Sequence, residues 1–164
     1  MKMDKLIQYI IILTEFKMEK IISYSENGKI YSEYFMENGE IEGEYKSYWD
    51  DGQLAQMSNF VNGKQEGEYI IYHENGQPRI ICSYVDGVKK GEYKEYYSNG
   101  QLQDISYYDD GLQHGKFTQY RSNGQLLATG TCVAGNLCGE FKEYSDDGLS
   151  FITSHYVNGR KLKK

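Results

Sequence analysis

The amino-acid sequence predicts an all-β chain, a continuous antiparallel β-meander built from six 24-residue hairpin repeats. Three observations carry this expectation. Asn-Gly or Asp-Gly pairs end at Gly28, Gly52, Gly76, Gly100, Gly124 and Gly148, always 24 residues apart. Two more glycine series keep the same step, Gly39 to Gly159 and Gly43 to Gly139, and the three series hold 17 of the 18 glycines. Finally, the aromatics follow the same clock, and no segment keeps a helical period.

The elements follow in chain order. Residues 1–18 read as an N-terminal capping segment, with a strand near Leu6–Leu13 whose Ile7, Ile10 and Ile12 cover the first edge. Its apolar run is too short for a signal peptide core or a membrane span, and no small-residue cleavage site follows. The repeats are 19–42, 43–66, 67–90, 91–114, 115–138 and 139–162, with no linker between them. Each holds two turn signals, 11 then 13 residues apart. Asx-Gly between strand-like segments favours a type I′ hairpin, because both central residues take positive φ. Two turns per repeat give about 12 strands, or 13 with the N-terminal one. The outer repeats deviate: Glu19 stands in place of the first glycine, and Leu149 follows Gly148 directly. Residues 163–164 are a basic C-terminal end.

Tyr24, Tyr48, Tyr72, Tyr96, Tyr120 and Tyr144 form one aromatic series, and Tyr45, Tyr69, Tyr93, Phe117 and Phe141 a second. Phe60, Tyr84, Tyr108 and Tyr156 form a third, with Met36 and Cys132 filling its gaps. These are structural repeat aromatics, rungs of ladders across neighbouring strands. Tyr45 and Tyr48 differ by three, so either both faces carry aromatics or a bulge turns them to one side. The glycine two residues before Tyr45 has two readings. It permits a bulge, or it lets a ring lie over bare backbone.

Composition narrows the function classes. The chain has 164 residues, 39% hydrophobic and 15% aromatic, with 17 Tyr against 1 Trp. Aromatic richness argues against disorder. A net charge of −6 leaves no basic stripe for nucleic acid and disfavours an anionic membrane surface. Cys82, Cys132 and Cys138 match no metal-ligand or disulfide framework, and Cys132 and Cys138 flank a turn with poor geometry for pairing. His73, His114 and His155 occupy three different repeat positions, so no metal site is expected. The recurrent carboxylates are alike, whereas a catalytic pair needs unlike environments. No catalytic residue and no cofactor site is read, and the chain is expected not to be an enzyme. The positions that vary while the scaffold holds are Trp49, His73, Tyr97 and Arg121, one residue after the unbroken tyrosine series, together with Tyr107. Aromatics and Arg are favoured interface anchors, and these are the candidate partner-binding residues.

The unit GEYKEYYSNGQLQDISYYDDGLQH, residues 91–114, resembles the MORN repeat in its bacterial variant form. The closing pattern appears as Asn62-Gly63-Lys64-Gln65-Glu66-Gly67. The resemblance covers 19–162 and extends to YwqK-type antitoxins. It implies an elongated, single-layer, twisted antiparallel sheet. It also implies a protein partner, a toxin bound and neutralised, and no enzymatic activity. The tyrosines here stand where eukaryotic MORN repeats usually carry Trp. The expected setting is cytoplasmic, and an envelope-associated or secreted binder of lipid or glycan is the alternative if a natural leader precedes this sequence. The terminal strands are edges, so edge-to-edge self-association is also an expectation.

Overall fold

The structure is a computed structural model that describes residues 7–13, by backbone path, and 18–163. The expectations placed on residues 1–6, 14–17 and 164 lie outside the described residues. Among those described there is no helix. The chain divides into two compact units. One runs through Pro78 and adds Tyr84–Gly87, and the other comprises Arg79–Ser83 and Val88 onward.

The first unit is an antiparallel meander. It contains β1 (Ile7–Leu13), β2 (Met18–Tyr24), β3 (Ile30–Glu37), β4 (Glu40–Tyr48), β5 (Leu54–Val61) and β6 (Lys64–Tyr72). Each strand pairs with the next, β1 with β2 among them. In the second unit, residues Ile80 and Ile81 of β7 (Pro78–Val85) pair with β9 (Gly91–Tyr96), which follows the two-residue β8 (Val88–Lys89). Next come β10 (Leu102–Asp109), β11 (Leu112–Gln113), β12 (Gly115–Tyr120) and β13 (Leu126–Val133). The last are β14 (Asn136–Leu137), β15 (Gly139–Tyr144), β16 (Phe151–Val157) and β17 (Arg160–Lys161). Sequential antiparallel pairing again joins them. The pairs β8/β9, β11/β12 and β14/β15 are each one line of chain interrupted by a single residue.

That interruption is the bulge. Tyr34 pairs with Tyr45 but Phe35 pairs with Glu42, which leaves Gly43 and Glu44 as two extra residues on β4. Gly43 has φ 74°, and a Cβ there would meet nothing within 4 Å. The series glycine is therefore kept for its backbone conformation, not to seat a ring. The bulge lies before both tyrosines, and β4 has no extra residue from Tyr45 to Tyr48, so these two point to opposite faces and both faces carry aromatics. Tyr45 stacks on Tyr34 at 5.7 Å. Tyr48 donates to Glu33 Oε1 at 2.5 Å, and Glu33 lies opposite Lys46 in the register.

The two turn series differ in kind. Asn38-Gly39 has φ 50° and 86° at both central residues, the type I′ turn expected. At Asn27-Gly28 only the glycine is positive. Gly28 N–H donates to Ser25 O, which makes a three-residue loop with a type I turn and a left-handed third residue. The Asx side chain there has another use: Asn27 Oδ1 accepts the Lys29 N–H at 3.0 Å, and Asp51 Oδ1 accepts that of Gln53 at 2.8 Å. The expectation that both series are type I′ is corrected accordingly.

Repeats are stitched at both sheet margins. Gly63 N–H donates to Ile41 O, Gly111 N–H to Lys89 O, and Gly135 N–H to Gln113 O, each reaching into the preceding repeat. On the other margin Lys29 Nζ donates to Asp50 O and Tyr97 OH to Tyr120 O.

Candidate functional site

One face of each unit carries the rings. In the first, Tyr45 meets Phe60 at 6.1 Å and Tyr69 meets Tyr84 at 5.5 Å. In the second, Tyr93 meets Tyr108 at 5.6 Å and Phe141 meets Tyr156 at 5.9 Å. Each ring closes over a small residue on the opposite strand. Tyr45 faces Ser58, Tyr93 faces Ser106, Phe117 faces Gly130 and Phe141 faces Ser154. The three serines are buried. Ser58, Cys82, Ser106, Gly130 and Ser154 are 24 residues apart, so this series of small seats is legible in the sequence, although aromatic and glycine spacing alone pass over it. It accounts for Gly130, the glycine outside the repeat series. A Cβ there would lie 2.8 Å from Phe117 Cε1.

The ring face of the second unit has a gap. Cys132 occupies the position held by Phe60, Tyr84, Tyr108 and Tyr156 in four repeats and by Met36 in the first. Phe117 therefore has no rung partner on its own hairpin, and its ring leans toward Phe141 at 6.4 Å. The missing ring leaves a groove of about 500 Å³, walled by Tyr93, Tyr108, Phe117 and Phe141 with Cys132 among its lining residues. Asp104, Glu95, Gln119 and Gln113 also line it.

The polar groups are held in place by their neighbours. Asp104 sits directly across from Glu95 on β9 and from Gln119 on β12. Its Oδ1 accepts from Ser106 Oγ at 2.8 Å and its Oδ2 from Gln119 Nε2 at 3.2 Å. Glu95 Oε2 accepts from Tyr93 OH at 3.1 Å, and Glu95 Oε1 lies 3.7 Å from Arg79 Nε. Among the described residues no Lys or Arg forms an ion pair with Asp104. Burial pushes the Asp104 carboxyl above its ordinary range, the hydrogen bonds oppose this, and Glu95 adds to it. Burial, with Glu95 or Asp104 adding repulsion, also raises Tyr93, Tyr108 and Cys132. These four groups are all driven toward the neutral form, the mark of a part-desolvated site with a negative field. Lys89, which is not among the lining residues, holds its Nζ 4.8 Å from the Tyr93 ring centroid and 4.6 Å from that of Tyr108.

The sequence-predicted site residues lie elsewhere. Tyr97 and Arg121 reach across to the next repeat, where Tyr97 OH donates to Tyr120 O at 2.9 Å and Arg121 Nη2 donates to Tyr144 O at 2.8 Å. Arg121 also pairs with Asp146 at 3.0 Å. Trp49 and His73 are half-buried in the first unit, and the Trp49 indole N–H is buried without a hydrogen-bond partner. Tyr107 is exposed and donates to Glu92 at 3.3 Å. None of the five lines the groove. The signal that marks the groove is nonetheless in the sequence. Asp104 shares its repeat position with Ser32, Gln56, Ile80, Ala128 and Ile152, and Cys132 interrupts a ring series. The three cysteines are free thiols, with Cys132 opposite Leu137 across the Ala134-Gly135 turn. A second hollow of about 750 Å³ lies beside β16 and β17, lined by Ile152, His155 and Leu162 among others, and no ring wall bounds it.

Hairpins of fixed length, stitched edge to edge and seated ring on small residue, define a β-hairpin repeat scaffold. The sequence pattern of the MORN repeat variant matches residues 20–38, 41–62, 65–86, 89–110 and 113–131, more than half of the chain. The chain belongs to that family. No curated protein matches it. The family pattern finds five repeats, one fewer than the six read from glycine spacing. The stretch 139–162 falls outside the matched residues, although Gly139 and Gly159 keep the positive φ of their series.

Proposed function

We propose that this chain is a non-enzymatic scaffold that binds a protein partner through the groove at the missing rung. The observation that carries the reading is the groove itself: four ring walls, a half-buried carboxylate and, among the described residues, no basic side chain paired with it. Rigid aromatic walls supply contact area at little entropic cost, and clustered aromatics suit an interface centre. The likeness to YwqK-type antitoxins makes a toxin the partner proposed first.

Co-expression with the products of neighbouring genes, followed by copurification, tests this. The expected result is a stoichiometric complex weakened by Cys132→Tyr, which fills the groove with the ring that other repeats carry. Flotation on liposomes without a protein partner would overturn it. So would a complex indifferent to Cys132→Tyr and lost with Trp49→Ala.

A further inference from the structure

The groove has a defined chemical character. Asp104 and Glu95 face each other across neighbouring strands. Like charges so placed repel, and cross-strand carboxylates are normally relieved by a cation. Here the relief is slight. Arg79 touches Glu95 at 3.7 Å from an exposed position, and Asp104 accepts only neutral donors, Ser106 and Gln119. A carboxylate accepts about four hydrogen bonds, so each retains capacity. The rings beside them present negative faces. Lys89, which is not a lining residue of the groove, lies over both Tyr93 and Tyr108, a cation contact with the same two rings.

We propose that the groove receives the guanidinium of an exposed arginine on the protein partner, held between the ring walls and the Asp104–Glu95 pair. Guanidinium fits better than ammonium for three reasons. It is planar, so it can lie flat against an aromatic ring. It is weakly hydrated, so a half-buried site desolvates it at lower cost. Its five donors diverge in a plane and can serve two carboxylates at once, with Gln119 Oε1 as a further acceptor, whereas ammonium is a strongly hydrated point charge. The groove lies on one face of a sheet and is open to solvent, so a side chain can enter it while its backbone stays part of the partner's surface. The net charge of −6 favours a basic partner surface around that arginine. This inference rests on the scaffold reading above and names the chemistry at its contact.

The test is an amide NMR titration of the isotope-labelled full chain at constant ionic strength. The probes are N-acetyl-arginine methylamide, its neutral citrulline counterpart and its lysine counterpart. The expected result is saturable shifts at 104–108 and 113–119 with the arginine probe at millimolar concentration. Citrulline should bind at least about tenfold more weakly, as loss of a charged hydrogen-bond donor implies. Asp104→Asn should abolish the shifts while the rest of the spectrum stays unchanged, and Glu95→Gln should weaken them. No shift with arginine, an equal response to citrulline or lysine, or shifts that survive Asp104→Asn would overturn the proposal. A partner that copurifies and responds to Cys132→Tyr while the arginine probe gives nothing leaves the scaffold reading standing and removes the guanidinium.

Discussion

Ala134 holds φ 48° where its counterparts Asn38, Asn62, Asp86, Asp110 and Asn158 are Asx residues. A Cβ in the left-handed region crowds the following carbonyl, at roughly 1–2 kcal/mol, and Asn tolerates it better. Ala134→Asn is therefore expected to gain about 1 kcal/mol and raise Tm by about 2–4 °C in a chain of this size. An unchanged or lower Tm in a thermal melt would contradict the assignment of strain. Asp104 offers a second residue-level prediction, with its sign set by linkage. Its folded-state carboxyl lies above the ordinary range, chiefly through burial. Such a group lowers stability as pH rises from the unfolded value, about 3.9, to the folded one, and the cost is complete above both. Asp104→Asn should thus raise Tm at neutral pH, and the advantage should shrink on acidification and vanish below about 3.9. Melts across that range check it. Stability gained by replacing the residue proposed to bind a partner is the exchange expected if that proposal holds.

At the scale of the element, the ring and its seat form the packing unit. Phe117 lies so close over Gly130 that Gly130→Val must move the ring or the strand, at a cost of about 1–3 kcal/mol. A denaturation midpoint unchanged by Gly130→Val would show that the seat does not matter to packing. The hairpin spacing and the Asn38-Gly39 kind of turn are legible in the sequence, because Asx-Gly pairs at a fixed step are local signals. The Asn27-Gly28 kind is not, for a local reason: the same dipeptide serves a turn with two positive φ values and one with a single positive φ. Only the residues around it decide which. The parity of Tyr45 and Tyr48 follows from β4 running without an extra residue between them, while the two-residue bulge at Gly43 and Glu44 lies before both, a placement that the glycine in the sequence does not show.

For the whole molecule, repetition makes the fold readable and hides the groove. Positions that obey the 24-residue clock announce architecture. The most conspicuous variable row, Trp49, His73, Tyr97 and Arg121, then stands out as the carrier of function. Yet Tyr97 and Arg121 spend their polar ends on carbonyls of the next repeat, an inter-repeat contact that register alone reveals. The groove arises from two quiet departures, a cysteine in a ring series and an aspartate in a neutral one, on strands that only folding sets side by side. Stability in such chains sums over neighbouring repeats, so one repeat can lose a rung while the others maintain the sheet. The most direct test compares amide hydrogen exchange of the chain alone and in its copurified complex. Slowed exchange is predicted across 104–108, 113–119 and 131–137, with the turns at 49–53, 73–77, 97–101 and 121–125 unchanged. Protection confined to those turns, with the groove strands exchanging as before, would contradict the account.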